Sequence, residues 1–231
     1  MKFTEGYWEK SERANASHAM QAFIVEEIPN GMQIVAPFHI ITDRSGALDV
    51  GTITIEFTAI RKDVISVRSW HFEGYQRKEP RFELNKDMQD VDVEITDEKA
   101  IMTAGRMQVC VDRKDFKIEY KADGKVLTTC GFRNIGYMQY DRSNSTKFPE
   151  SNYMYSDYTP YMNTELSLAP GECVYGMGER FTSFVKNGQV VDCWNEDGGT
   201  ASQISYKNIP FYMTNKNYGI LVDHTDNVSF E

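Results

Sequence analysis

Cysteine is scarce in this sequence, and its spacing excludes a compact metal or redox motif. The 231 residues contain four cysteines and seven prolines. No C-x-x-C pair occurs, and no pair of histidines lies near the cysteines, which are Cys110, Cys130, Cys173 and Cys193. This pattern predicts reduced thiols, as in a cytosolic protein, and no metal.

Long apolar runs and an excess of basic residues are also lacking. The first fifteen residues are too polar for a signal peptide, and no later stretch is long enough to cross a membrane. Lys and Arg total 25 against 34 Asp and Glu, a formal charge of -9, which opposes binding to polyanions. We expect a cytoplasmic protein that binds neither nucleic acid nor membrane.

Helical periodicity is rare, and the dominant hydrophobic period is two. In Thr52 to Ala59 the apolar residues alternate with polar ones, which predicts a strand with one buried face. Asp123-Gly124 and Asn187-Gly188 are typical hairpin turns. Further strands are predicted at Val64 to His71, Val91 to Thr96, Lys99 to Thr103, Met107 to Asp112, Phe116 to Ala122, Lys125 to Thr129, Asn163 to Leu168, Cys173 to Gly176, Gln189 to Trp194, Ile209 to Thr214, Tyr218 to Asp223 and Val228 to Glu231.

This pattern predicts an all-β sandwich or barrel. The stretch from Tyr137 to Tyr161 has no clean period and is predicted to be an irregular connection. No repeat or linker divides the chain, so we expect one domain over residues 1–231. Because the last strand pattern, Val228 to Glu231, stops with the sequence, we also expect the chain to be part of a longer protein.

Three carboxylates alternate along one predicted strand, at Asp90, Asp92 and Glu94. A glycosidase needs two carboxyl groups about 5 to 9.5 Å apart, but these converge from different elements, whereas a row on one strand normally faces water. None of the histidines, at positions 18, 39, 71 and 224, forms a metal-spaced pair. We therefore predict a solvated face and no catalytic set.

Two glycine-containing segments resemble ligand loops only in part. Around Asp197 a calcium loop fails, because Cys193 and Ile204 would occupy positions that require carboxylates. Gly176-Met177-Gly178-Glu179-Arg180 lacks the third glycine and the following helix of a phosphate loop, so a tight passage between strands is the simpler use. The residues predict no cofactor.

Four motifs in the last third of the chain carry a resemblance to a known family. They are VYGMGERF at Val174 to Phe181, VKNGQ at Val185 to Gln189, WNEDGGT at Trp194 to Thr200 and YKNIPFYMT at Tyr206 to Thr214. In this order they closely resemble the amino-terminal domain of family 31 glycoside hydrolases, and among these the bacterial α-xylosidases. The resemblance implies a galactose-mutarotase-like β-supersandwich.

The resemblance also implies that catalysis lies elsewhere. In this family two aspartates of a following (β/α)8 barrel perform retaining hydrolysis, and this sequence contains no such barrel. We therefore expect a non-catalytic domain of an α-xylosidase, inactive alone, whose carbohydrate substrate is bound together with the absent barrel. The same domain of an α-glucosidase is an open alternative.

One substrate-binding residue, Asp197, is implied by the resemblance. A long hairpin, here Arg180 to Thr200, shapes the leaving-group side of the pocket, and Asp197 would accept hydrogen bonds from sugar hydroxyls there. The family usually has arginine immediately before this aspartate, and here Glu196 replaces it. A neighbouring carboxylate would raise the proton affinity of Asp197 and alter leaving-group preference.

Two other functions are compatible with the residues. Thirteen tyrosines and three tryptophans would permit a free-standing carbohydrate-binding module that stacks sugars on exposed rings. A mutarotase-like isomerase would need a histidine and a glutamate around the sugar ring oxygen, and no motif indicates such a pair.

An apolar face that docks on the barrel would be exposed in the chain alone, so an oligomer is possible.

Overall fold

The computed structural model describes residues 4–5, 9–74, 85–141, 158–196, 198, 200 and 203–231. These residues form β-strands and one short 3-10 helix, Ser45–Ala47. The strands are β1 (Thr4–Glu5), β2 (Glu9–Lys10), β3 (Ala14–His18), β4 (Ile24–Ile28), β5 (Gly31–Pro37), β6 (Thr52–Arg61), β7 (Val64–Trp70), β8 (Asp92–Ile95), β9 (Lys99–Ala104), β10 (Met107–Asp112), β11 (Lys117–Ala122), β12 (Lys125–Cys130), β13 (Ile135–Asp141), β14 (Tyr158–Thr164), β15 (Val174–Gly176), β16 (Val191–Cys193), β17 (Phe211–Thr214), β18 (Gly219–Leu221) and β19 (Val228–Phe230). Over the described ranges, no helix is long and apolar enough to cross a membrane.

The chain divides into two compact units. The carboxyl-terminal unit comprises Leu168–Glu231 together with described residues up to Ser11, and the central unit comprises the described residues from Glu12 to Ser167. The single domain expected over residues 1–231 stays a prediction.

The central unit contains three antiparallel sheets. Their strand orders are β4-β5-β6-β7, β12-β11-β10-β9-β8 and β14-β13-β3. In β6 the burial alternates as the sequence predicts, with Ile53, Ile55 and Phe57 fully buried between partly exposed polar residues. The period of two therefore places one face of this strand in the core.

The two larger sheets and β13 share one hydrophobic core. The buried side chains from these strands belong to a single cluster and include Met32, Ile34, Ile53, Ile55, Phe57, Met102, Val109, Val111, Ile118 and Ile135. Burial of each such side chain contributes about 1.5–3 kcal/mol of transfer free energy. This clustering confirms the predicted all-β fold with a sandwich-type core.

The predicted Asp123-Gly124 hairpin is present in the central unit, together with a second hairpin between β6 and β7. Asp123 and Gly124 both have positive φ, 50° and 73°, and join β11 to β12 as the type I′ turn signal predicts. β6 and β7 pair across a turn that contains Asp63 at φ 61°. The local sequence therefore predicted the turn between β11 and β12 correctly.

The irregular connection predicted from Tyr137 to Tyr161 is wrong at both of its ends. β13 and β14 pair along their whole lengths, and β13 also pairs with β3. The strand predicted at Asn163 to Leu168 ends instead at Thr164. These polar segments are stabilised as strands by pairing with strands that are distant in sequence. A strand defined in this way shows no alternation of apolar residues in its own sequence.

The carboxyl-terminal unit has three small sheets and its own core. The sheet orders are β15-β17-β18, β16-β19 and β1-β2. Its core consists of Val174, Met177, Val191, Cys193, Tyr212 and Val228. Strand β16 pairs with β19 rather than with a strand before Asn187-Gly188, so the second predicted hairpin turn does not join paired strands.

Candidate functional site

The substrate-binding residue implied by the sequence, Asp197, lies outside the described residues. Both of its neighbours, Glu196 and Gly198, are described. In the surrounding segment, residues 194–205, the described residues are 194–196, 198, 200 and 203–205.

The long hairpin implied for Arg180 to Thr200 is absent from the described part of that segment. Its single strand there, β16, pairs with β19. Before β16 the backbone carbonyls accept from side chains: Lys186 Nζ donates to Ser183 O at 2.7 Å, and Gln189 Nε2 donates to Val185 O at 2.6 Å. Because side chains satisfy these carbonyls, the segment folds as a loop without a strand ladder.

Arg180 connects both ends of segment 194–205 to the core of the unit. Its Nη2 donates to Asp192 O at 2.9 Å, two residues before the segment begins, and its Nη1 donates to Gln203 O at 3.2 Å, near the end of the segment. Nε donates to Met177 O at 3.0 Å. The planar guanidinium suits this role, because its five donors point in fixed directions.

Asn208 completes this clamp. Its Oδ1 accepts a hydrogen bond from Arg180 Nη2, while its Nδ2 donates to Trp194 O at 2.9 Å and to Ser205 O at 2.7 Å. Asn195 Oδ1 accepts from both the backbone N–H and Nδ2 of Asn208, at 3.2 and 2.9 Å. The residues just before Asp197 are thus bonded to those after it.

Backbone contacts join the start of segment 194–205 to its end. Glu196 N–H donates to Ser205 O at 3.0 Å, and Asn195 and Ser205 form an isolated parallel bridge. A Cβ on Gly198 would lie 2.5 Å from Ile204 O, so only glycine permits this close approach. These contacts hold Glu196 close to Ser205 and Gly198 close to Ile204.

Gly178 brings the Gly176-Met177-Gly178-Glu179-Arg180 run against the same segment. It has φ +86°, and a Cβ there would lie 2.0 Å from Lys207 O. Glu179 N–H donates to Lys207 O at 3.0 Å, and Ser205 Oγ donates to Glu179 O at 2.6 Å. The glycines therefore serve a tight chain passage, as the sequence predicts.

Beside the root of this loop lies an open cleft of about 310 Å³. It is lined by Cys193, Trp194, Asn195, Asn208, Pro210, His224, Thr225, Asp226 and Val228. Trp194 is 49% exposed, whereas Cys193 and Val228 belong to the core. The lining thus combines apolar, polar and aromatic side chains.

The Arg180 guanidinium influences the ionisation of two neighbouring groups, Lys186 and Cys193. Lys186 is buried, and burial together with nearby Arg180 lowers the pKa of its ammonium group. Burial raises the pKa of the Cys193 thiol, although Arg180, whose Nη2 lies 3.7 Å from Sγ, partly opposes this increase. The thiol is therefore held neutral and unreactive.

The other candidates do not assemble into a site. Asp90, Asp92 and Glu94 are exposed, which agrees with the predicted solvated face. His71 donates Nδ1–H to Thr52 O at 2.8 Å and packs against the rings of Phe38 and Tyr137. The four cysteines are free, and the described residues contain no group of three or more His, Cys, Asp and Glu able to hold a metal ion.

Sequence reasoning missed the roles of Arg180, Asn195 and Asn208. All three lie within the quoted motifs, but each acts through main-chain groups that are distant in sequence. A hydrogen-bonding clamp of this kind has no period and no fixed spacing. The sequence signal for the clamp was that the Gly-x-Gly-Glu-Arg run occurs together with Asn195 and Asn208 in the motifs that follow it.

Comparison with known proteins assigns the family. The model of the "Glycosyl hydrolase 31 N-terminal galactose mutarotase-like domain" matches residues 54–231. The chain belongs to this family. The all-β, galactose-mutarotase-like fold expected from the sequence is confirmed.

Curated relatives include two α-xylosidases that align with the whole chain. Alpha-xylosidase XylQ of Lactiplantibacillus pentosus is 36% identical over 232 residues, and an alpha-xylosidase of Emericella nidulans is 35% identical over 245 residues. The chain spans 28% and 30% of the lengths of these relatives.

Solved structures with this fold include other members of glycoside hydrolase family 31. A Flavobacterium johnsoniae GH31 dextranase complexed with glucose has a TM-score of 0.67 at 16% identity, covering 93% of this chain and 23% of its own. A GH31 alpha-xylosidase from a soil metagenome, complexed with xylose, has a TM-score of 0.53 at 14% identity, covering 85% and 27%. At these identities the likeness supports the fold alone.

Proposed function

We propose that this chain is a non-catalytic domain of a retaining α-xylosidase, to which it contributes one wall of the leaving-group side of the active site. The observation that carries the proposal is that two relatives aligned with the full chain at 35% and 36% identity are both α-xylosidases. Terminal α-xylosidic bonds are the proposed substrate, and hydrolysis would require a separate catalytic barrel.

The arrangement of carboxylates supports a non-catalytic role. Retaining hydrolysis needs two carboxyl groups about 5–5.5 Å apart across the scissile bond. The lining of the described cleft supplies one carboxylate, Asp226, and the row at Asp90, Asp92 and Glu94 faces solvent. We therefore infer that this chain alone does not hydrolyse glycosides.

The clamp supports a positioning role for segment 194–205. Arg180 and Asn208 bind main-chain groups on both sides of it, so the segment enters and leaves at fixed points. A carboxylate on such a segment can meet a sugar with little loss of conformational entropy. Asp197 is the proposed acceptor for leaving-group hydroxyls.

The role of Asp197 is tested with the Asp197→Ala variant of the full gene product. We expect kcat/KM for a xylosyl disaccharide to fall about tenfold to a hundredfold, because one or two charge-assisted hydrogen bonds are lost. Hydrolysis of nitrophenyl α-xyloside should change less, since its leaving group offers no sugar hydroxyls. Asp90→Ala is the matched control, because it removes an exposed carboxylate.

An equal loss for both substrates, or no loss for the disaccharide, would contradict this role. The same assays with nitrophenyl α-glucoside distinguish an α-xylosidase from the alternative, an α-glucosidase.

The proposal also includes a cytoplasmic location, which the four free thiols support. Cell fractionation tests that location directly.

A further inference from the structure

Strand β7 forms one edge of the sheet β4-β5-β6-β7, and this edge is open among the described residues. β7 pairs with β6 on one side, and no backbone hydrogen bond from a described turn or loop reaches its other side. Its seven residues, Val64–Trp70, include no proline and one charged side chain, Arg68. Because prolines and clustered charges are the common protection of an edge strand, β7 is able to pair with a further strand.

Other edge strands of the central unit are better protected. β4 carries two adjacent carboxylates, Glu26 and Glu27, and β14 contains Pro160. The edge of β12 is bonded to the chain that follows β14, because Ser167 N–H donates to Thr129 O at 2.9 Å. Among these edges, β7 is therefore the one best suited to accept a strand from another molecule.

The register shows which backbone groups of β7 point outward. Ala59 N–H donates to Asn30 O at 3.0 Å, so the main-chain groups of Ala59 point away from β7. These directions alternate along a strand, so Phe57 also points away from β7, and Phe57 and Val67 form a pair without mutual hydrogen bonds. The N–H and C=O of Val67 therefore point away from β6, toward the open edge.

Val67 is also an apolar residue that this edge leaves partly uncovered. It lies opposite Phe57, which is fully buried, so both side chains are on the core face of the sheet. Val67 is nevertheless 41% exposed, because no described strand lies beyond β7. An added strand would cover this side chain and satisfy the outward backbone groups at the same time.

We propose that β7 pairs antiparallel with β7 of a second copy of this chain, about a two-fold axis at Val67. Val67 is the middle residue of Val64–Trp70, so this register pairs the two strands over their whole length. Val67 then faces Val67 of the second copy, and Ile65 faces Ser69. All three residues point their main-chain groups outward, which gives about six hydrogen bonds between the copies.

The side chains of β7 fit this self-pairing. Arg68, the one charged residue of the strand, faces Ser66 of the second copy and not another arginine, and like charges directly opposite would be destabilising. Trp70, whose ring lies 4.7 Å from the Arg68 guanidinium carbon, faces the exposed Val64 of the second copy. A second copy therefore meets β7 without an unfavourable cross-strand pair.

The size and charge of the interface predict a weak dimer. One strand from each copy is small compared with the about 20–30 residues a side of a stable interface. Each copy also carries a formal charge of -9, so the two copies repel each other at low salt. We expect a dissociation constant on the order of 100 μM, falling as salt is added. The pairing does not depend on the α-xylosidase assignment.

The test uses the position of Val67 on the two-fold axis, where the residue meets its own copy. Val67→Lys and Val67→Glu each place like charges opposite each other, so each variant alone should associate less than the parent chain. An equimolar mixture of the two places lysine opposite glutamate and should associate again. Sedimentation velocity of the 231-residue chains measures this, as a weight-average sedimentation coefficient above the mean of the two separate variants.

Val126→Lys, Val126→Glu and their mixture are the matched control. Val126 is 50% exposed on β12, whose edge Ser167 covers, so mixing these two variants should produce no gain. Association through any other surface contributes equally to the separate and mixed samples. A Val67 mixture that sediments at the mean of its components, or charged Val67 variants that associate like the parent, would overturn the proposal.

Hydrogen exchange of the unmodified chain tests the same pairing without any substitution. The Val67 amide points to the open edge, so its exchange should slow as the concentration rises through the dissociation constant. The Ser66 amide points to β6 and should be protected at every concentration. Exchange at Val67 that does not change with concentration would contradict the proposal, even if the charged variants fail to fold.

Discussion

At the scale of single residues, Arg180 is the group on which the segment around Asp197 most depends. It donates to three backbone carbonyls and to Asn208 Oδ1 from one half-buried guanidinium. Lysine carries the same charge but cannot present donors in this fixed planar fork. The role of Arg180 is therefore geometric rather than electrostatic.

Replacement of Arg180 by lysine should destabilise the carboxyl-terminal unit. We expect Arg180→Lys to lower the free energy of unfolding by about 2–3 kcal/mol, because carbonyls in the clamp lose their donors. Arg106→Lys is the control: Arg106 pairs with Asp63 and Asp123 at 3.0 and 3.5 Å, and its side chain is 56% exposed. Its cost should be under about 1 kcal/mol. Urea denaturation measures both, and equal costs would contradict the clamp.

Gly178 gives a second prediction at this scale. Gly178→Ala should cost at least about 2 kcal/mol more than Gly188→Ala, because both have positive φ but only Gly178 faces a backbone oxygen at 2.0 Å from the new Cβ. At Gly188, with φ +76°, the new Cβ meets nothing within 4 Å. Thermal unfolding compares the two variants. Similar melting temperatures would mean that the close passage at Gly178 does not stabilise the fold.

At the scale of elements, Glu172 links the start of β15 to the end of β17. Its carboxylate is buried, and Oε2 accepts the Ala169 N–H at 2.7 Å. Burial raises the pKa of this carboxyl, but hydrogen bonds from Tyr218, Ala169 and Thr214 lower it by more. The pKa in the folded chain is therefore below its ordinary value. The ionised form therefore stabilises the folded unit.

This arrangement predicts acid sensitivity of the carboxyl-terminal unit. The stabilisation from Glu172 is fully present above the ordinary carboxyl pKa of 4.5 and is lost as pH falls through the lower folded pKa. In Glu172→Gln the unfolding free energy should depend less on pH below about 4.5. Denaturation curves at several acidic pH values measure this difference, and an unchanged slope in the variant would contradict it.

The elements also show how far the sequence alone predicts this fold. Strand β10 and the turn at Asp123-Gly124 were predicted correctly, because a short turn and a period of two are local signals. Strands β3, β4 and β5 were not predicted. β3 is polar and pairs with β13 more than a hundred residues later, so only tertiary pairing defines it.

The candidate site was predictable only through the family motifs. They identified the segment that carries Asp197, whereas composition and spacing indicated no site there. In the clamp, side chains donate hydrogen bonds to backbone carbonyls that are distant in sequence. Examples are Arg180 to Gln203 O and Asn208 to Trp194 O. Such contacts follow from the final packing and leave no periodic trace in the sequence.

At the scale of the whole molecule, the sheet β15-β17-β18 presents an apolar face. Phe211, Met213 and Leu221 are 39%, 51% and 60% exposed, and the strand register places them on one side. Tyr175 pairs opposite Met213, and its ring centroid lies 5.3 Å from that of Phe184. Contiguous exposed apolar surface of this kind favours association.

The chain alone should therefore self-associate as its concentration rises. Leu221→Lys should shift the population toward monomer with little change in melting temperature, because this side chain is mostly exposed. Val126→Lys is the control, since Val126 is 50% exposed on β12 of the other unit. Sedimentation velocity measures the effect. A chain that stays monomeric at high concentration would contradict the prediction.

The central claim, that this chain supports catalysis without performing it, is tested most directly by nitrophenol release from nitrophenyl α-xyloside. The assay compares the 231-residue chain with the full product of its gene at equal molar concentration. We predict turnover by the full product and none above background by the chain alone. Turnover by the chain itself, or a gene product no longer than this chain, would contradict the claim.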